Sequence, residues 1–124
     1  MSNPSPGAKS HPEHTIAITR EGRRVAVQFA GKTVADTMNA LTLDEVGYSP
    51  VLYIPLGDVA TEFLTPSDHH TRCPFKGEAR YWSIVAEGKT AENAVWGYDT
   101  PYDEVGEIAG HVAFYPDKVD ITVM

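Results

Sequence analysis

The chain has 124 residues, 42% of them apolar and 22% charged, with a formal net charge of −7. This composition fits a single globular domain with a core of modest size and excludes a disordered chain. The acidic balance opposes general binding to nucleic acid, whose phosphates need a basic face.

A lone cysteine excludes an internal disulfide framework and suits a reducing compartment, so the expected location is cytoplasmic. No apolar run approaches the roughly 20 residues that cross a bilayer, and no membrane partner is expected. Residues 1–14 are rich in Ser, Pro, Gly and His without an apolar segment. They read as a flexible N-terminal tail, not a signal peptide, ahead of a single β domain over residues 15–124.

From Thr15 the hydrophobic pattern has a period of two. Ile16 and Ile18 share one face of a first strand, and Val25, Val27 and Phe29 share one face of a second. The Gly-containing connection at 21–23 predicts that these two form a hairpin. Residues 33–37 and 40–45 follow as strands. Val51-Leu-Tyr-Ile54, short, apolar and bounded by prolines, reads as a strand buried on both faces.

The period then changes. Asp58 is placed to cap a short helical segment reaching Leu64, and Thr65 to Asp68 ends it. Ser67 to Tyr81 holds the only cysteine, two of the five histidines and three of the ten Lys/Arg residues. Its first half reads as a loop with solvent-exposed histidines. Its second half opens the longest strand candidate, Glu78 to Ala86. Glu92 to Tyr98 is another strand by its aromatic and β-branched content. A helical turn is expected over Asp103 to Ile108. His111 to Tyr115 and Val119 to Val123, joined by Pro116-Asp-Lys118, read as a terminal hairpin. Eight or nine short strands at regular spacing predict a mainly β fold. The expected form is a small antiparallel β-sandwich or partly open barrel with one or two short helical turns.

Several motifs fail on spacing. Gly31-Lys-Thr33 and Gly88-Lys-Thr90 look like the end of a phosphate-binding loop, but the required earlier glycine is Ala26 in one and Ser83 in the other, and strand patterns follow both. No Asp-x-Asp pair is present to hold catalytic metal ions. No Cys-x-x-Cys is present for zinc, so neither a metal nor another cofactor is expected. His69, His70, Cys73 and His111 form a weak mixed metal set, because adjacent histidines on a strand point to opposite faces. Cys73 reads either as a nucleophile activated by nearby cations or as a small buried apolar residue. No second cysteine exists to resolve an oxidised thiol.

The segments Tyr53-Ile-Pro55, Thr71-Arg-Cys-Pro-Phe-Lys-Gly77, Ala79-Arg-Tyr81, Asn93-Ala-Val-Trp96 and Ile108-Ala-Gly-His-Val-Ala-Phe-Tyr115 carry a resemblance. Together they resemble the bacterial and fungal domain-of-unknown-function family 427, sometimes filed under a nucleotidyltransferase-like name. The likeness runs from about Arg23 to Asp120, and its most specific element is Cys-Pro-x-Lys-Gly. It implies an Mss4-like or β-tent architecture, whose members often carry a Cys-x-x-Cys zinc site that this chain lacks. The family pattern has Gly-Tyr where this chain has Gly110-His111, which implies altered specificity wherever that ring meets a ligand. The resemblance brings no established activity with it, and the residues lend the transferase label no support.

The function expected is therefore binding of a small anionic or carbonyl-bearing molecule. The site would be built from Cys73, Lys76, Tyr81, Trp96, Tyr98 and His111 around the Cys73–Gly77 turn. Arg72 and Arg80 are expected to make the local field positive, with Lys76 standing as a free cation at the pocket mouth. Two alternatives remain open: an enzyme using Cys73 or Lys76 covalently, and a protein-interaction module using an exposed sheet edge. No feature of the sequence sets an oligomeric state.

Overall fold

A computed structural model describes residues 2–124. Ten strands form two antiparallel sheets, without barrel closure. The strands are β1 (Ile16–Arg20), β2 (Val25–Phe29), β3 (Lys32–Thr37), β4 (Leu41–Glu45), β5 (Val51–Pro55), β6 (Leu64–Cys73), β7 (Gly77–Ala86), β8 (Lys89–Gly97), β9 (His111–Phe114) and β10 (Asp120–Val123). The larger sheet has the order β1-β4-β5-β9-β8-β7-β6, and the smaller one β10-β2-β3. A single helical turn, α1 (Pro6–Ser10), precedes the strands. Short 3-10 segments lie at Leu56–Asp58, Thr61–Phe63 and Asp103–Ile108.

The larger sheet is covered on both faces, and alternation along each strand assigns its side chains. One face carries Ile54, Trp82, Ile84, Val95, Val112 and Phe114, packed against Val25, Val27 and Val34 of the smaller sheet. The other face carries Tyr53, Ala79, Tyr81, Ala113 and Leu43, packed against Val105 and Ile108 of the last 3-10 segment and against Tyr98. β5 is thus buried on both faces, as its unbroken apolar run predicts: Tyr53 and Ile54 are each 1% exposed and look opposite ways.

Two predicted hairpins are replaced by other pairings. β1 pairs with β4, while β2 pairs with β3 and β10. Ile16 and Ile18 pack on the second face of the large sheet, whereas Val25 and Val27 fill the space between the sheets, so the turn at 21–23 carries the chain from one layer to the other. The same happens after β9. Lys118 N–H donates to Tyr115 O to make the expected turn, but β10 then joins β2, bringing Ile121 opposite Val27.

The segment read as a loop before Cys73 is part of β6, an edge strand whose polar residues face solvent. His69 and His70 are exposed, as expected, but on a strand. The single helical segment expected after Asp58 is instead two 3-10 turns. Asp58 caps neither; its carboxylate accepts a hydrogen bond from the Thr37 hydroxyl at 2.6 Å.

At Gly97 the strands approach so closely that an added Cβ would stand 2.8 Å from the His111 carbonyl oxygen and 3.2 Å from Val112 Cγ1. Backbone on one side and a buried valine on the other leave little room to yield. Gly97→Ala is expected to lower stability by about 1–3 kcal/mol in urea unfolding. Gly57→Ala, whose Cβ would meet nothing within 4 Å, is expected to change it little.

Candidate functional site

On the second face of the large sheet, β4 near one end of the strand order is tied to the β6–β7 turn at the other. Lys76 Nζ, on that turn, donates to Glu45 Oε1 at the end of β4, at 2.6 Å. The two side chains are only 14% and 9% exposed. The turn itself is fixed by its sequence. Gly77 has φ of 120°, a conformation natural only to glycine, and a Cβ there would lie 3.4 Å from the Thr100 carbonyl oxygen. Tyr102 N–H also donates to Lys76 O at 3.0 Å.

Between these walls lies a cavity of about 590 Å³, within the size range of small-molecule sites. β4 and the turn after it contribute Leu43, Glu45, Tyr48 and Ser49, and β5 contributes Val51 and Tyr53. Tyr81, Trp96, Tyr98 and Tyr115 line the opposite side, with Cys73 to Lys76 at the rim. Five of the six residues expected at the site come together here: Cys73, Lys76, Tyr81, Trp96 and Tyr98. His111 does not line this cavity; it sits at the start of β9 with Nδ1 3.0 Å from Ala109 O.

The aromatic rings order one another. Trp96 meets Tyr53 edge-on with ring centres 6.5 Å apart, and Tyr115 lies 4.4 Å from Trp96. The phenols differ in what their hydroxyls do. That of Tyr81 is engaged with Thr71 Oγ1 at 2.9 Å. Tyr98 is only 6% exposed and lines the cavity, and its hydroxyl has no hydrogen-bond partner among the described residues. Burial pushes the Tyr98 phenol far up. It does the same to Tyr53, against a smaller opposing pull from the Trp96 indole. Tyr115 is pushed up to about 12 by burial and by the neighbouring Tyr81 hydroxyl. All three stay protonated at neutral pH and so keep a proton to donate.

The expected positive field is absent from the cavity. Arg72 pairs with Glu78 at 3.2 Å, and Arg80 faces Asp99 at 3.6 Å while lying 4.4 Å from the Trp82 ring centre. Neither lines the cavity. Lys76 is not a free cation either, since Glu45 holds it. Glu45 and Lys76 are the only charged side chains in the lining, and they cancel. Among the described residues no three His, Cys, Asp or Glu side chains converge as a metal site would need. His69 lies against the Tyr81 ring, and His70 faces Glu78 at 3.7 Å.

Sequence reasoning missed Glu45 and His14. Glu45 ends an ordinary amphipathic strand, and nothing in its neighbours marks it. His14 lies in the segment read as a tail, yet its Nε2 meets Glu45 Oε2 at 2.7 Å and its ring stacks on Phe75 at 3.9 Å. Residues further upstream brace the same turn. Gly7 N–H and the Ser5 hydroxyl both donate to Pro74 O, at 2.9 and 2.8 Å. Asn3 and Asp103 exchange two hydrogen bonds, and Ser5 N–H donates to the Glu104 carboxylate. Ser5 is 1% exposed.

The fold and site define an all-antiparallel β domain with an aromatic cavity bordered at its rim by one ion pair. The chain belongs to the family described as Domain of unknown function (DUF427), whose model matches residues 17–124. No curated protein matches the chain. The match begins after His14, so the bracing segment lies outside it. Among the described residues no helix is long and apolar enough to cross a membrane.

Burial raises the pKa of Glu45, but hydrogen bonds from Lys76 and His14 outweigh it and hold the carboxyl below its ordinary 4.5. A carboxylate with a lower pKa folded than unfolded stabilises the fold above its unfolded value. That contribution fades as pH falls through the lower folded value. Glu45→Gln is therefore expected to cost about 1–3 kcal/mol at neutral pH, by leaving Lys76 half-buried and poorly paired. It should also flatten the loss of stability below pH 4.5, read from urea midpoints across an acid series.

An added Cβ at Gly7 would meet the Phe75 ring and Pro74 O at 2.8 Å. Gly7→Val is expected to lift the bracing segment and to speed tryptic cleavage after Lys9 several-fold.

Proposed function

We propose that this domain binds a small carbonyl-bearing molecule in the aromatic cavity. One observation carries the reading: the Tyr98 side chain is only 6% exposed, yet its hydroxyl opens onto the cavity and bonds to no described residue. A donor that opens onto a cavity is free to exchange water for a ligand acceptor held among the rings. Tyr98 donates to the ligand oxygen and Tyr53 stands beside it as a second phenol, while Trp96 and Tyr115 form apolar walls around the rest of the molecule.

A neutral acceptor is favoured over an anion. The only cation in the lining is already bound to Glu45, so a carboxylate would have to displace one carboxylate with another. The concave setting of the aromatic residues favours a pocket over a protein-interaction face, which would present them on an open surface. Cys73 lines the same cavity but has no hydrogen bond to a histidine or carboxylate among the described residues. Without a neighbouring base the thiol has no activating partner, which favours binding over covalent chemistry.

Titration with acetophenone, followed by the fluorescence of Trp96, tests the reading. Binding is expected to weaken about three- to tenfold in Tyr98→Phe, the worth of one neutral hydrogen bond. Benzoate is expected to bind the native protein more weakly than acetophenone, and to overtake it in Glu45→Gln, where Lys76 is released. Equal acetophenone affinities for the native protein and Tyr98→Phe, or no binding to either, would sink the proposal.

A further inference from the structure

We infer that the ligand is amphipathic, with a carbonyl head in the aromatic cavity and an unbranched apolar tail running past Trp96 into an adjoining apolar cavity. The inference rests on the reading above and adds the class of molecule. The adjoining cavity lies beside the boundary between β5 and β9. These strands pair only through Ile54 with Val112 and Pro55 with His111. β5 stays joined to β4 as far as Val51, and β9 stays joined to β8 as far as Phe114. Residues 51–53 and 113–114 have no ladder partners in each other, although the two strands stay close, and each remains bound on its outer side.

This second cavity, of about 350 Å³, opens where β5 begins and β9 ends. It is lined by Val51, Leu52, Trp96, Phe114, Pro116 and Ile121, together with Ser49 and Pro50, and carries no charged side chain. Ser49, Val51 and Trp96 line both cavities. Val51 and Trp96 belong to the second face of the sheet, whereas Leu52, Phe114 and Ile121 pack on the cluster between the sheets. The second cavity thus reaches from one face of the sheet to the other, with Trp96 as the shared wall.

The two chambers differ in chemistry. The first holds the phenols, the thiol and the ion pair; the second offers hydrocarbon and proline. Leu52 and Ile121 remain only partly buried there, although each packs on the core. A linear alkyl chain anchored by a carbonyl in the first chamber covers them, and each methylene gains by leaving water. A charged tail would meet no counter-charge.

Methyl ketones of increasing length, 2-butanone through 2-decanone, provide the test, with acetophenone as the probe of the head site alone. Affinity is expected to rise by up to about fourfold per added methylene. The terminal methyl of bound 2-decanone is expected to show nuclear Overhauser contacts to the methyls of Leu52 and Ile121. In Ile121→Asp, confirmed as folded by circular dichroism, the gain with chain length should disappear. If acetophenone binds but longer ketones gain nothing, or if the terminal methyl contacts Tyr48 and Leu43 instead, this inference falls and the head site stands. If neither acetophenone nor any ketone binds, the underlying reading falls as well.

Discussion

One ion pair decides the shape of the site. Glu45 and Lys76 stand far apart in the strand order of the large sheet, and their contact at 2.6 Å joins two walls of the cavity. An exposed pair of this kind would contribute little, because water screens it and two long side chains must be held still. Here both side chains are largely buried, and each has further support. Glu45 is met on its second oxygen by His14, and Lys76 sits on a turn held by Gly77 and by the Tyr102 main chain. Breaking the pair from either side leaves a charge in a poorly solvated place, so the contact is harder to lose than its net strength suggests.

The same pair sets the polarity of the cavity. By neutralising Lys76, Glu45 turns a lysine-marked pocket into one without net charge, and hydrogen bonding passes to the phenols. Burial keeps those phenols protonated and removes them from competing water, so a single donor such as Tyr98 counts for more there than at the surface. The aromatic walls then serve two purposes, since the rings that exclude water also fix one another's orientation.

Bracing of the turn from outside is a distinct layer. Residues 3–14 hold Pro74 and Phe75 from behind and reach round to Glu45, while lining none of the cavity. The family match starts beyond them, at residue 17. This chain therefore supports a turn inside the matched region with a segment that the family model does not include.

Alternation and composition determined a good deal on their own. The all-antiparallel character, most strand positions, the burial of β5 on both faces and the central place of the Cys73–Gly77 turn all follow from local residue preferences. Such preferences act over a few residues and survive in any packing. The identity of Cys73, Lys76, Tyr81, Trp96 and Tyr98 as neighbours was legible for a related reason: rings and a stiff turn in a small β domain have few places to go.

Pairing was decided only by the tertiary structure. β1 and β2 look like a hairpin because their turn permits one, but Ile16 and Val25 belong to different cores, and burying both requires the strands to separate. The N-terminal segment has the composition of a tail, and only the presence of Pro74 O, Phe75 and Glu45 in one place gives its polar groups partners. The charge of the cavity was beyond local reading for the same cause. Arg72, Lys76 and Arg80 are close in sequence, but their partners Glu78, Glu45 and Asp99 come from wherever the fold brings them, and a charge acts through its nearest counter-charge in space.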